Sequence, residues 1–334
     1  MYTLFLLFSL SYSLQFLPHP LEKRISYVEG IDDIRYIGND SLKICKENFK
    51  KKYPMLIFKN NKNITPQEFL NFAKQFDDNC DEEAIKSTEE KQSYIQSNQM
   101  LQPFDQFPDC KHVAPRGNYF LKNYYGCENL QVSPSDYFKD KYLWHSDTWG
   151  HNSKRMNKIT AFHIKEQPLI GGETDFISGE TVYENLSSEY KRYYKNIIVQ
   201  VSREPFLKGH VSMDYSGAQF LENISYVKPS EESITKVPII TFPEEDSYSK
   251  PCLLVSPILV QCVEGYSIEK SRILLTHLVN RHLLPNRVTI QWKKGDIAIF
   301  NNKLFIHSST PANNYLQNKF SNKRFLLQTF IPTK

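Results

Sequence analysis

The second half of the chain breaks into short apolar runs set apart by turn residues, and this pattern restricts the fold more than any other feature. Residues 159–164 read ITAFHI, and a segment restarting at 173–176 follows Gly171-Gly172. Further runs occupy 237–240, 253–255, 288–292, 297–300 and 325–331. Each is three to seven residues long, and most are rich in β-branched and aromatic side chains. That is too short for an ordinary helix and suits a strand. Many short strands joined by turns imply an antiparallel sandwich or barrel rather than a parallel α/β sheet. Gly295-Asp296 reads as a tight hairpin turn between two of these strands.

Helical periodicity is confined to a few segments. In 67–76 (QEFLNFAKQF), Phe69, Leu70, Phe72, Ala73 and Phe76 recur on one face. Thr65 is a good N-cap for that helix, and Pro66 suits its first position. A helix is predicted from Ser178, with Val182, Leu186, Tyr190 and Tyr193 as its inner stripe, and another over 268–279. Residues 55–58 (MLIF) read as a buried strand. The polar, acidic stretch 80–110 reads as loop with an interrupted strand. The expected fold class is therefore mainly β with flanking helices.

With 334 residues, 40% of them hydrophobic, one large domain with a sizeable core is expected, although length alone allows two. The net charge of +4, from 41 basic and 37 acidic residues, gives no concentrated basic stripe of the kind nucleic-acid binding needs. Residues 1–13 (MYTLFLLFSLSYS) are uncharged and largely apolar, with Ser11 and Ser13 in a small-x-small pattern. They read as a signal peptide cleaved near Ser13, which would place the protein in the secretory pathway. The alternative is a cytoplasmic protein with a buried apolar N-terminal segment. The run is too short to span a bilayer, so no transmembrane anchor is expected. Cys45, Cys80, Cys110, Cys127, Cys252 and Cys262 form no C-x-x-C pair, which argues against a zinc knuckle or a thioredoxin-like site. Pairing and free buried thiols are both open. Sequons at Asn39, Asn63, Asn185 and Asn223 do not decide the compartment. Residues 204–250 are Pro-punctuated and too long for an ordinary connection, as a lid or substrate-facing insertion would be.

The chemistry lies in Trp144-His145-Ser146-Asp147. Residues i and i+2 of a strand share a face, so the His145 imidazole and the Asp147 carboxylate can converge on one ion. Two histidines and one carboxylate on a single face of the coordination sphere suit a non-haem iron(II) oxygenase, with positions left for a co-substrate and dioxygen. His307 follows the strand that ends near Asn301-Asn302. Arg324 then opens the strand RFLLQTFI. A buried arginine at a strand start calls for an anion, and its fork matches a carboxylate bidentately.

In this combination the chain resembles the TauD/TfdA family of iron(II)/2-oxoglutarate-dependent dioxygenases. The matching pieces are colinear: 54–76 with its ITPQEF helix start, Trp144-His145-Ser146-Asp147, Gly171-Gly172-Glu173-Thr174-Asp175-Phe176, 292–302, His307, and Arg324 with its strand. The resemblance implies a double-stranded β-helix (jelly-roll) core within a single domain over 25–334. It implies Fe(2+) held by His145, Asp147 and His307. Arg324 would pair with the distal carboxylate of 2-oxoglutarate, and Thr174 would donate a hydroxyl hydrogen bond to that co-substrate. The partners would be a small-molecule substrate and dioxygen, and turnover would hydroxylate the substrate while 2-oxoglutarate becomes succinate. Two departures stand out. The segment between His307 and Arg324 is longer than the family's, which makes Lys323 an alternative anchor. Gln328 stands where the taurine enzyme has the arginine that binds the sulfonate, so a sulfonate substrate is not expected. Among nearby residues, core packing is favoured for Trp144 and Trp149, a hydrogen-bonded structural role for His163, and a solvated position for Lys141. His151 lies close to the motif, and His210 falls in the lid segment. The competing reading is a jelly-roll protein that has lost turnover and binds a ligand or partner.

Overall fold

Alternating apolar residues sort onto two faces of one large sheet, and that sorting positions everything else. The computed structural model describes residues 14–90, 107, 109–117, 119–124, 127–132, 142, 144–147, 157–168, 171–202, 204, 228–242, 250–310 and 324–334. In chain order the elements are β1 (Gln15–His19), β2 (Glu22–Glu29), α1 (Asn39–Lys51), β3 (Met55–Phe58), α2 (Pro66–Lys74), α3 (Glu82–Glu90), β4 (Val113–Gly117), β5 (Tyr119–Tyr124), β6 (Cys127–Val132), β7 (Asn157–Glu166), β8 (Thr174–Ser178), α4 (Gly179–Asn185) and α5 (Ser188–Tyr194). There follow β9 (Ile198–Val201), β10 (Thr235–Pro238), β11 (Ile240–Thr241), β12 (Cys252–Leu253), β13 (Val260–Val263), α6 (Ile268–Leu278), β14 (Arg287–Ile290), β15 (Ile297–Asn301), β16 (Phe305–Ser309) and β17 (Phe325–Pro332).

The large sheet runs β1-β2-β3-β15-β7-β17-β4, and only its β2–β3 pair is parallel. A facing sheet runs β14-β8-β16, and smaller sheets are β10-β9-β13, β11-β12 and β5-β6. The large sheet begins at Gln15, upstream of the boundary at residue 25 taken from the sequence. Two cores follow from its strand parity. Met55, Ile57, Phe162, Ile164, Ala298, Phe300 and Leu326 point between the sheets, where they meet Phe176, Ile306 and Trp144. Leu56, Phe58, Ile159, Ala161, Ile297, Ile299, Phe325 and Leu327 point the other way, onto Phe49 of α1 and Phe69, Leu70, Phe72 and Ala73 of α2.

Helix α2 starts where the sequence places it. Thr65 Oγ1 accepts from Glu68 N at 3.2 Å while Glu68 Oε2 accepts from Thr65 N at 2.8 Å, a closed capping box. Three expectations need correction. The stretch assigned as loop from residue 80 contains α3, whose first turn is held by Asp81 Oδ1 accepting from Ala84 N at 3.0 Å. The single helix expected from Ser178 is two. Leu186 is extended (ψ 140°) and Ser187 caps a new start, so the phase resets. As a result Tyr194 is fully buried and Tyr193, assigned to the inner stripe, is 51% exposed. Finally, Gly295-Asp296 turns the chain without making a hairpin. β14 pairs with β8, whereas β15 pairs with β3 and β7 in the other sheet.

Candidate active site

His145 and His307 lie far apart in the chain but face each other across an isolated antiparallel bridge. His145 N donates to His307 O at 3.1 Å, and His307 N donates to His145 O at 2.8 Å. Strand β16 places His307 opposite Phe176 of β8, so the second histidine comes from the small facing sheet. Asp147 sits in the turn after His145 rather than continuing a strand. Its Oδ1 lies 3.4 Å from His145 Nε2, and its Oδ2 lies 3.7 Å from His307 Nε2. One ligand atom from each of the three side chains falls within 4.8 Å of the other two.

The turn is fixed from behind. Ser146 Oγ donates to Asn302 O at 2.6 Å, and Asp147 N donates to Asn302 Oδ1 at 3.2 Å. Asn302 is itself fully buried, and its N–H donates to Lys158 O at 2.7 Å. Thr160 Oγ1 donates to Asp147 Oδ2 at 3.0 Å, which leaves the other carboxylate oxygen turned toward His145. The His307 ring is enclosed by Phe162, Phe176 and Phe300, with ring centroids 5.6, 5.7 and 5.4 Å away. Those phenylalanines leave the imidazole little rotational freedom.

Burial pushes the His307 pKa down to about 3 against the opposing pull of Asp147, so the ring is neutral at pH 7. Burial would raise the Asp147 pKa, but His307, His145 and the Thr160 hydroxyl outweigh it and hold the carboxyl below its usual range. A neutral imidazole and an ionised carboxylate are the forms that ligate a divalent cation. No described residue hydrogen-bonds His307 Nδ1. The donor set of two imidazoles and one carboxylate therefore fits a non-haem iron ion.

A second polar group adjoins this one. Thr174, at the start of β8, is 2% exposed. Its Oγ1 accepts from Trp292 Nε1 at 2.9 Å and from Arg324 Nη2 at 3.2 Å. A threonine hydroxyl has two acceptor positions and one hydrogen. With both acceptor positions used, that hydrogen remains available to a third group. Burial lowers the Arg324 pKa to about 10, with Glu173 opposing, and the guanidinium remains charged at pH 7. Gly117 allows this placement. Its φ is +145°, and a Cβ there would lie 1.9 Å from the Arg324 carbonyl oxygen.

The other residues singled out from the sequence separate clearly. His163 is fully buried, its Nε2 lies 2.7 Å from Asn61 O, and it packs on Phe69, as a structural histidine should. Trp144 is fully buried and stacks on Tyr142 at 5.5 Å, which is core packing. Cys45, Cys80, Cys110, Cys252 and Cys262 are free thiols. Lys141, Trp149, His151, His210, Lys323, the segment 1–13 and most of the lid segment 204–250 lie outside the described residues. Sequence reading gave no site role to Thr160, Asn302, Trp292, Gly117 or the three phenylalanines. Apart from Gly117 they appear there only as members of strands or of the matching segments.

Comparisons with known proteins identify the family. Residues 46–327 match the taurine catabolism dioxygenase TauD, TfdA family. The chain is similar to an alpha-ketoglutarate-dependent xanthine dioxygenase of Emericella nidulans, with 22% identity over 306 residues, covering 77% of this chain and 80% of that protein. Its fold is similar to a taurine dioxygenase from Burkholderia xenovorans (TM-score 0.62, 16% identity, 96% of this chain and 90% of that one). It is also similar to AAD-2, solved in complex with Mn(II) and N-oxalylglycine (TM-score 0.64, 15% identity, 96% and 98%). The chain belongs to the TauD/TfdA family and is thus an enzyme of the 2-oxoglutarate-dependent dioxygenase class with a jelly-roll core. No described helix is long and apolar enough to cross a membrane.

Proposed function

We propose that His145, Asp147 and His307 hold Fe(2+), that Arg324 and Thr174 anchor 2-oxoglutarate, and that the enzyme hydroxylates a small organic molecule. The observation that carries this reading is the convergence of the three ligand atoms within 4.8 Å, with His307 neutral and Asp147 ionised. When bound, the iron supplies dioxygen activation coupled to the oxidative decarboxylation of 2-oxoglutarate to succinate. The protein's own residues supply orientation. Asn302 and Thr160 aim the carboxylate, and Phe162, Phe176 and Phe300 aim the His307 ring. Arg324 presents its fork to a carboxylate while the remaining hydroxyl hydrogen of Thr174 supplies a further donor. The apolar lining from Phe162, Phe176 and Phe300 keeps water from the reacting centre. Sequence similarity to a xanthine dioxygenase supports a small-molecule substrate without naming it.

The test is spectroscopic and then catalytic. Protein loaded anaerobically with iron(II) should develop a weak visible charge-transfer band when 2-oxoglutarate is added, and should form succinate on exposure to air. Absence of both signals would leave the binding-only jelly roll as the better account. For the compartment, we propose that residues 1–13 are a secretory leader. N-terminal sequencing of the mature chain should then begin near Leu14, and a retained Met1 would reject it.

A further inference from the structure

Thr174 opens β8 and is flanked in register by Ile290 of β14 and Ser309 of β16. Trp292 lies two residues beyond Ile290, where the chain has left β14, and it is buried. Its ring packs edge-on against Phe176 with centroids 6.3 Å apart, and Phe176 in turn stacks on the His307 ring. Packing therefore fixes the indole, and the indole brings its N–H to Thr174 Oγ1 at 2.9 Å. An indole N–H can only donate, and leaving it buried without an acceptor is costly. Thr174 supplies the acceptor, and the bond has a second effect, on the hydroxyl itself.

A free hydroxyl rotates to donate or to accept, as its neighbour requires. Thr174 has lost that freedom. Trp292 Nε1 fills one acceptor position and Arg324 Nη2, at 3.2 Å, fills the other. The hydroxyl thus offers a third group a donor and nothing else. Both oxygens of a carboxylate accept from such a donor. A carboxamide of the same shape carries –NH2 in place of one oxygen, and that group sets donor against donor. Without the indole N–H, the hydroxyl can turn its hydrogen into the space the indole held and accept from the –NH2. The charge of Arg324 favours any anion over its neutral analogue, and Trp292 adds a fixed hydrogen-bond polarity at the neighbouring hydroxyl.

Resting on the reading above, in which Thr174 and Arg324 anchor 2-oxoglutarate, we propose that Trp292 is a positioning residue that sets co-substrate specificity: by occupying Thr174 Oγ1 it makes the site take a distal carboxylate and refuse the carboxamide of the same shape. Trp292 acts through the threonine. Its contribution therefore exists only while residue 174 carries a hydroxyl, which separates it from a tryptophan that merely fills the core.

The experiment uses full-length protein loaded anaerobically with iron(II) and 2-oxoglutarate. Two probes displace the visible band: N-oxalylglycine, in which an N–H replaces one methylene of 2-oxoglutarate, and N-oxalylglycinamide, its distal carboxamide. The quantity read is the ratio of their dissociation constants. Wild type should favour the acid. W292F should shrink the ratio at least about fivefold, the value of one neutral hydrogen bond, chiefly because the amide binds better. T174S should hold the wild-type ratio, T174V should shrink it, and W292F should add nothing to T174V. The proposal is overturned if wild type binds the two probes alike, if W292F leaves the ratio unchanged or weakens both probes equally, or if W292F shrinks the ratio as much in T174V as in wild type. Should W292F not fold, proton–nitrogen spectra of metal-free wild type and T174V replace it. The three tryptophans give three indole N–H signals. One of them should shift in T174V and exchange faster with deuterium, and three unmoved signals overturn the proposal. Wild type that shows no band with 2-oxoglutarate counts against the metal-site reading instead. Calorimetric titration of both probes into metal-free wild type and W292F then decides by the same ratio, and no heat from either probe overturns this proposal as well.

Discussion

Arg24 and Asp147 are both charged side chains enclosed by the protein, yet their surroundings differ in one respect. Arg24 donates to Glu180 at 2.5 Å, to Thr181 at 2.7 Å and to Glu184 at 2.5 Å, and Thr181 closes the group by donating to Glu22 at 2.7 Å. Its donors are answered within the protein, and the group fastens β2 to α4. Around Asp147 the distances to the histidine nitrogens are 3.4 and 3.7 Å, too long for good hydrogen bonds, and the groups converge on a shared point. A closed polar cluster stabilises a fold, while one whose atoms converge without closing is arranged for something else. The difference lies in geometry, since both clusters are buried and charged.

The largest effect that would break this comparison is at Asp147. D147A should abolish the 2-oxoglutarate band and succinate formation, while the stability of the metal-free protein changes by no more than about 1 kcal/mol. Retained succinate formation would show that the metal site is misplaced. At the closed cluster the pattern should invert. R24M leaves Glu22 and Glu180 without the cation they share and should cost about 3–5 kcal/mol in denaturant unfolding, with the band intact in the protein that remains folded. N302A removes a residue that touches no ion but aims Asp147, and should weaken iron binding about 10- to 100-fold with a smaller loss of stability.

The smallest effect concerns acidity. Burial holds both His163 and His307 near a pKa of about 3, against an ordinary value of 6.5. Between those values the unfolded chain binds protons that the folded chain refuses, so metal-free protein is fully stable above pH 6.5 and loses stability as the pH falls toward 3. The limit is about 1.4 kcal/mol per pH unit for each histidine. H163N should remove one proton from that acid slope, measured by chemical denaturation between pH 7 and 5, and leave the share of His307. An unchanged slope would show that His163 is not the neutral, buried group described.

Much of this was legible in the sequence because it is local. The Thr65-Pro66 helix start, the short strands and the colinear order of His145, Asp147, Thr174, His307 and Arg324 are all patterns along the chain. What was hidden depends on register. Nothing adjacent in sequence shows that Phe162 will pair with Gln328, that Asn302 will reach Ser146, or that Arg116 will stand opposite Leu326. Helix α3 was hidden for a different reason. Its acidic composition lacks a strong apolar stripe, and Ile85 is its one buried hydrophobic side chain among the described positions. The break between α4 and α5 turned on Ser187, a good cap in the middle of a sequence that otherwise repeats as one helix.

The bridge between His145 and His307 has a consequence for the whole molecule. It joins a segment leading into the large sheet to a strand of the facing sheet, so an ion held by both would act as a clasp across the jelly roll. Its binding free energy would then add to folding, by about 2.7 kcal/mol at a free concentration one hundred times the dissociation constant. Iron supply would set how long the protein survives as well as how fast it turns over. Protein made under iron starvation should be cut sooner by a protease than the same protein loaded with iron, and D147A should show no such protection.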